Sequence, residues 1–216
     1  MNTPKQKFLI IKLSSIGDIV HALPFLRTLR KHHPHAYIAW IVEEPFQELL
    51  KCNSDLDEVI PVRIKHWRKN LNINSWREIS KTRQLLKSRK FDWTFDLQGL
   101  IKTGVIARMA GTPNRAGFHR DNCREKINTW FNNRHNKYVA DGGHVVDLCL
   151  SQLSVLGNFP PQVEFPLLIP REDENISETF MQKNPELPSK RIAGINPGAG
   201  FPTKIWRIKI ANFHVV

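Results

Sequence analysis

The sequence predicts an α/β fold built on a mostly parallel sheet. Three observations carry that expectation. Short apolar runs of strand length recur, as in Phe8–Leu13 and Asp92–Leu97. Segments with apolar residues at helical spacing lie between them. The resulting order, β-α-β-α, requires crossovers, and those place helices on both faces of a parallel sheet.

The elements follow in order. Phe8–Leu13 reads as the first strand. Residues Ile16, Ile19, Val20, Leu23, Leu26 and Leu29 give a helical stripe over 16–33, and Pro24 kinks that helix or marks a restart. Ala36–Val42 is a second strand, ended by Glu43-Glu44-Pro45. Glu58–Val62 is a third, and Pro61 places it at a sheet edge or a strand end. Trp76–Arg89 is a basic amphipathic helix. Asp92–Leu97 is a fourth strand, followed by a Gln98-Gly99 turn and a helix over Leu100–Ala110. Arg115–Phe118 is a short fifth strand. His144–Leu156 is a helix ending at Gly157. The segment 157–171 holds Pro160, Pro161, Pro166 and Pro170 and reads as a linker. A helix over 172–183, a new strand over Arg191–Ile195 and a glycine turn then open a second unit. The expected organisation is a domain over 1–157, a linker over 158–190 and the start of a second domain over 191–216.

Composition narrows the class. At 216 residues, 41% apolar and 24% charged, the chain is an ordinary globular sequence. No run approaches a signal-peptide core or a membrane span. Cys52, Cys123 and Cys149 are odd in number and widely spaced, which speaks against a disulfide framework and fits a reducing cytoplasm. The histidines show no ligand pairing, so no metal is expected.

The net charge of +12 is uneven. Ten basic residues between Arg63 and Lys90 face one acid, Glu78. Such a patch attracts phosphates in nucleic acid, anionic lipid or a phosphorylated sugar. Over Arg77–Lys90 a solvated helix face is the simpler reading. In Lys65-His66-Trp67-Arg68-Lys69, aromatic and basic residues cluster directly after a strand end, and a ligand role is favoured.

Two turns carry the chemistry. The first, Lys12-Leu13-Ser14-Ser15-Ile16-Gly17-Asp18, leaves strand one, and ligands of open α/β sheets bind at carboxyl strand ends. Asp18 is a candidate base there. Ser15-x-x-Asp18 also fits a variant capping box, and on spacing alone a cap is at least as good a reading. Gly17 reads as a tight-turn residue that also lets a ligand approach. The second, Asn196-Pro197-Gly198-Ala199-Gly200 leading to Lys204, would bring backbone N–H groups and a cation to a phosphate. It is neither a dinucleotide fingerprint nor a Walker A loop. Simpler readings stand beside the other candidates: a structural hydrogen bond for Asp96, a solvated Lys102, a packing histidine at 144, a packing anchor or a ligand platform for Trp67.

These segments, with Asp96-Leu97-Gln98-Gly99-Leu100-Ile101-Lys102-Thr103, occur in an order that resembles bacterial glycosyltransferase family 9, the ADP-heptose:lipopolysaccharide heptosyltransferases. Arg124-Glu125 and Trp130-Phe131-Asn132-Asn133-Arg134 look closest to the heptosyltransferase I branch. Lys126 stands where the family commonly has Pro. The resemblance implies a GT-B architecture of two Rossmann-like domains. It implies inverting transfer of heptose from ADP-heptose to the Kdo of a lipid A precursor, without metal or cofactor. Asp18 would be the base. Ser15, Gly17, Lys65, Trp67, Arg68, Lys69, Gln98 and Arg124 would face the acceptor. Gly198, Gly200 and Lys204 would face the donor diphosphate. A cytoplasmic protein with peripheral contact at the inner membrane is implied, and nucleic acid is not an expected partner. The family's Asp-x-Gly-x-x-His motif is missing, so the chain is expected to be a truncated form, inactive alone, that lacks roughly 100 or more residues of a second domain. The alternatives are a non-catalytic basic module for phosphorylated glycolipid or nucleic acid, and an inactive remnant.

Overall fold

The computed structural model describes residues 5–70, 72–137, 143–168 and 171–186. Six parallel strands form one sheet in the order β3-β2-β1-β4-β5-β6. They are Lys7–Ile11 (β1), Tyr37–Glu43 (β2), Glu58–Val62 (β3), Trp93–Asp96 (β4), Asn114–Gly117 (β5) and Arg134–His135 (β6). This is the doubly wound Rossmann order, with its switch point between β1 and β4. Phe8 pairs with Ile38 on one side and Trp93 on the other, so β1 is central.

Central position explains why β1 is apolar without alternation. Phe8 and Ile10 enter one core cluster, while Leu9 and Ile11 enter the other. The first cluster takes α1 (Ile16–His21), α2 (Leu23–His32) and α7 (Val145–Ser151), whose buried side chains include Ile19, Leu26 and Cys149. The second takes α4 (Ile64–Lys69), α5 (Ile73–Arg89) and α6 (Ile101–Ala110), through Trp67, Leu86 and Ile106. A one-turn helix, α3 (Glu48–Lys51), lies between β2 and β3. Among the described residues no helix is long and apolar enough to cross a membrane.

Several boundaries depart from the expected ones. The helix expected over 16–33 is two helices broken at Ala22, with Pro24 in the first turn of α2, where its missing N–H costs nothing. Lys65–Lys69, given no element from the sequence, belongs to α4. The helix expected over 144–156 ends at Ser151 and tightens into a 3-10 turn over Gln152–Val155. β6 was not expected; two residues carry no periodic signal.

The chain divides after Leu168 into two compact units. In the first, the proline-rich segment to Leu168 is held against α2. Phe159 stacks on His32 at 4.5 Å, Gln162 N donates to Thr28 Oγ1, and Lys31 pairs with Glu164. In the second unit the described structure is α8 (Arg171–Lys183) and the residues to 186. The strand expected over 191–195, with Gly198, Gly200 and Lys204, lies outside the described residues.

Edge strand β3 is tied down by charge. Arg89 grips Glu58 with two N–H groups, at 2.7 and 2.9 Å, and the Tyr37 hydroxyl also donates to Glu58. The Arg89 bond holds the Glu58 carboxyl below its ordinary range, while burial and Glu58 push the Tyr37 phenol up to about 12. A carboxyl depressed on folding stabilises above its unfolded pKa, and that contribution is lost as pH falls through the folded value. Glu58→Gln should therefore cost about 1 kcal/mol at neutral pH. Its gap to wild type should close in acid, as read by urea unfolding across pH.

Candidate functional site

The switch point sets two turns side by side at the carboxyl edge of the sheet, one after β1 and one after β4. The Gln98 side chain bridges them. Its Oε1 accepts from Leu13 N at 2.9 Å, and its Nε2 donates to Ser14 O at 2.9 Å. Lys12, buried beneath, donates through Nζ to Leu97 O at 2.6 Å. From the other flank, Glu43 N donates to Leu13 O, and the Trp40 indole donates to Lys12 O. The loop that delivers α1 is thus fixed by both neighbouring strands.

Asp18 sits in the first turn of α1, half-buried. Its Oδ2 accepts from Ser15 N at 3.0 Å and Ser15 Oγ at 3.3 Å. The capping interaction expected from Ser-x-x-Asp is present, and Oδ1 makes no hydrogen bond among the described residues. Gly17 is not the tight-turn residue expected. It is helical, lies outside the positive-φ region, and a Cβ built on it would meet nothing within 4 Å. What its missing side chain preserves is open space in front of α1. Gly17→Ala should hold or raise stability by up to about 1 kcal/mol, since Ala is the better helix former. It should weaken at least tenfold the binding of any ligand that fills that space, a split that urea unfolding and a binding titration would read together.

Asp96 organises the second turn. It is fully buried, and burial raises its carboxyl pKa against four hydrogen bonds that lower it. Oδ1 accepts from Gln98 N and Gly99 N at 3.0 and 3.1 Å. Oδ2 accepts from Thr103 Oγ1 at 2.9 Å and Asn128 Nδ2 at 2.5 Å. Gly99 is at φ +66, and a Cβ there would meet Phe118 and Cys123 at 3.0 and 3.2 Å. Its carbonyl accepts from Glu125 N at 3.0 Å, which brings the exposed Arg124 beside the Gln98 turn.

The cationic side of the site is α4. Ile64 and Trp67 are its buried face, and the Trp67 indole donates to Glu78 at 2.7 Å. Trp67 is therefore a packing anchor whose polar end is taken, rather than a surface platform. Lys65, Arg68 and Lys69 are exposed. Lys65 N donates to Glu43 Oε1 at 3.2 Å. Burial pushes the Glu43 carboxyl up, opposed by that bond and by the charges of Lys102 and Lys65. Burial likewise pulls the Lys102 ammonium down, with Arg68 and Lys65 adding repulsion. Glu43 and Lys102 belong to this cluster, although in the sequence Glu43 read only as a strand end and Lys102 as a solvated side chain. Among the described residues, none of Lys65, Arg68, Lys69, Lys102 and Arg124 makes an ion pair. His144 is the N-cap of α7, accepting from Val146 N and lying edge-on to His21 at 5.4 Å, rather than a packing residue.

The sequence pattern of "Glycosyltransferase family 9 (heptosyltransferase)" matches residues 79–213. The chain belongs to glycosyltransferase family 9. The family 9 chain is 37% identical over 145 residues to lipopolysaccharide heptosyltransferase 1 of Pseudomonas aeruginosa, covering 65% of this chain and 40% of that protein. It matches the structure of E. coli heptosyltransferase WaaC with ADP-2-deoxy-2-fluoro heptose at TM-score 0.68 and 30% identity, over 74% of this chain and 51% of that one. A glycosyl transferase family 9 structure from Veillonella parvula shares the fold at TM-score 0.76 and 21% identity, over 94% and 56% of the two chains. The family 9 chain thus spans about half the length, or less, of the relatives it matches. Its six-stranded sheet is a Rossmann-like domain of the GT-B kind. Among the described residues no group of three His, Cys, Asp or Glu side chains could hold a metal ion.

Proposed function

We propose that this chain supplies the acceptor-binding and base-bearing part of an inverting heptosyltransferase. The reaction moves heptose from ADP-heptose to a Kdo hydroxyl of a lipid A precursor. The observation that carries this reading is the pairing, along one sheet edge, of an open-fronted Asp18 with exposed cations that make no ion pair among the described residues. The kinship with a structure holding an ADP-heptose analogue supports the donor.

In this reading Asp18 takes the proton of the Kdo hydroxyl as its oxygen attacks the anomeric carbon, and the carbon–oxygen bond to ADP breaks from the opposite face. A carboxylate with one oxygen held by Ser15 and the other free is oriented for that transfer. Lys65, Arg68, Lys69 and Arg124 meet the Kdo carboxylate and the lipid phosphates, where guanidinium groups grip oxyanions with two N–H donors. Ser15 and Gln98 line the same edge, and Gln98 also fixes the turn. Lys204, with Gly198 and Gly200, would offset charge on the ADP leaving group. We assign residues 1–157 to the acceptor, 158–190 to a linker and 191–216 to the start of a donor domain. The protein works in the cytoplasm with peripheral contact at the inner membrane.

The test joins this chain to the remaining length of the Pseudomonas aeruginosa relative and supplies ADP-heptose with Kdo-lipid A. Mass spectrometry should find one added heptose. A folded fusion that binds ADP-heptose and leaves the acceptor unmodified would sink the reading.

A further inference from the structure

Toward the C-terminal ends of α5 and α6 a second group of cations gathers at the surface. An open depression of about 460 Å³ lies there, lined by Arg83, Lys87, Arg108 and Arg115, with Val105 and Phe131 among its apolar walls. Its place in the fold is distinct. α6 starts at the carboxyl edge of the sheet and ends near the amino edge, where β5 begins. Arg108 and Arg115 are therefore at the opposite end from Asp18.

No carboxylate lines this depression. Among the described residues none of its four cations makes an ion pair. Arg115 is half-buried and held in place, with Nε donating to Phe131 O at 2.8 Å and Nη1 to Thr112 O at 2.6 Å. Arg108 faces it closely enough to add repulsion to the burial that already disfavours its charge. The Lys87 stem passes over Gly111, where a Cβ would touch it at 3.6 Å. Like charges gathered without counter-charge are stabilised when an anion arrives.

The neighbouring surface is apolar. Ile101 and Val105 lie one turn apart on α6 and are 38% and 40% exposed. Ile127 and Trp130, in the 3-10 turn that leads to Phe131, are 47% and 80% exposed. An exposed tryptophan next in the chain to Phe131, which lines the depression with these arginines, is the composition of membrane-interface anchors, in which the ring enters the headgroup layer and the cations meet phosphates. A small soluble anion would leave that apolar rim unused.

We propose that the Arg83–Lys87–Arg108–Arg115 depression and its Ile127–Trp130 rim dock on the phosphate headgroups of an anionic bilayer, with the cations toward the opposite end of α6 from the Gln98 turn. The inference deepens the reading of peripheral membrane contact by assigning it a surface. The test sediments the full chain with vesicles of phosphatidylcholine, with and without phosphatidylglycerol. Such vesicles hold no Kdo or lipid A, so their binding is independent of heptose transfer. Partition onto the anionic vesicles should be at least roughly tenfold stronger and should fall with salt. Arg83→Glu with Arg108→Glu should remove roughly tenfold or more of it, and Trp130→Ser should weaken it further. Lys65→Glu with Arg68→Glu should leave most of it, with circular dichroism confirming the fold in each case. Should charge reversal unfold the chain, Arg83→Gln with Arg108→Gln should still lower partition severalfold. Binding unchanged in the Arg83/Arg108 variants, or lost chiefly in the Lys65/Arg68 variant, would overturn the assignment. So would inorganic phosphate titrating calorimetrically into the wild-type site without any partition onto vesicles.

Discussion

Asp96→Ala should destabilise the sheet unit by about 3–5 kcal/mol, read as a shift in urea midpoint. The side chain is fully buried at the end of β4, and four donors converge on it. Removing the carboxylate strands the N–H groups of Gln98 and Gly99, the Thr103 hydroxyl and the Asn128 amide. Each buried unsatisfied group costs about 1–3 kcal/mol. Relief of the charge's own burial, and bonds regained elsewhere (Thr103 also donates to Leu100 O), offset part of that sum. The damage should extend to the site. The Gln98 turn would lose its anchor, and with it the clamp on Leu13 and Ser14. Asp96→Asn should cost less, since one oxygen keeps its donors.

Asp18→Asn should behave in the opposite way. Asparagine keeps an oxygen for Ser15 N and Ser15 Oγ, so the start of α1 stays capped. What is lost is a negative charge near a helix N-terminus, about 0.3–1 kcal/mol. An amide cannot take a proton, however, and positioned general bases contribute about 10²–10⁴-fold to rate. A catalytic loss of that size with nearly unchanged stability separates the two roles that the sequence left open for this residue.

Much of the sheet was legible because its central strands, β1, β2 and β4, are buried on both faces. β1 to β5 fall within two residues of the apolar runs, and Pro61 in β3 correctly marked an edge strand with no partner on its outer side. β6 has two residues and no pattern. α4 is six residues long and half of them are Lys or Arg, so its buried face rests on Ile64 and Trp67 alone, too little for a period to emerge. Local chemistry was also readable: the Ser15–Asp18 contact, and a structural hydrogen bond for Asp96. The long-range parts of the site were not. Gln98 and Leu13 stand 85 positions apart, and only the Rossmann strand order makes them neighbours. Glu43 gains its place from Lys65 and Lys102, and each of these contacts crosses from one strand's loop to another's. Gly17 was half legible: the tight turn expected of it is absent, while the room for a ligand expected beside it agrees with the space that its missing side chain leaves.

The most direct test of Asp18 as the base is a single-turnover transfer experiment. It would use the chain joined to its relative's remaining length, as wild type and as Asp18→Asn, with urea unfolding on the same samples. The expected result is a rate lower by about 10²–10⁴-fold with stability changed by no more than about 1 kcal/mol. A variant that transfers heptose at the wild-type rate would contradict it, as would a rate loss that only tracks the unfolded fraction.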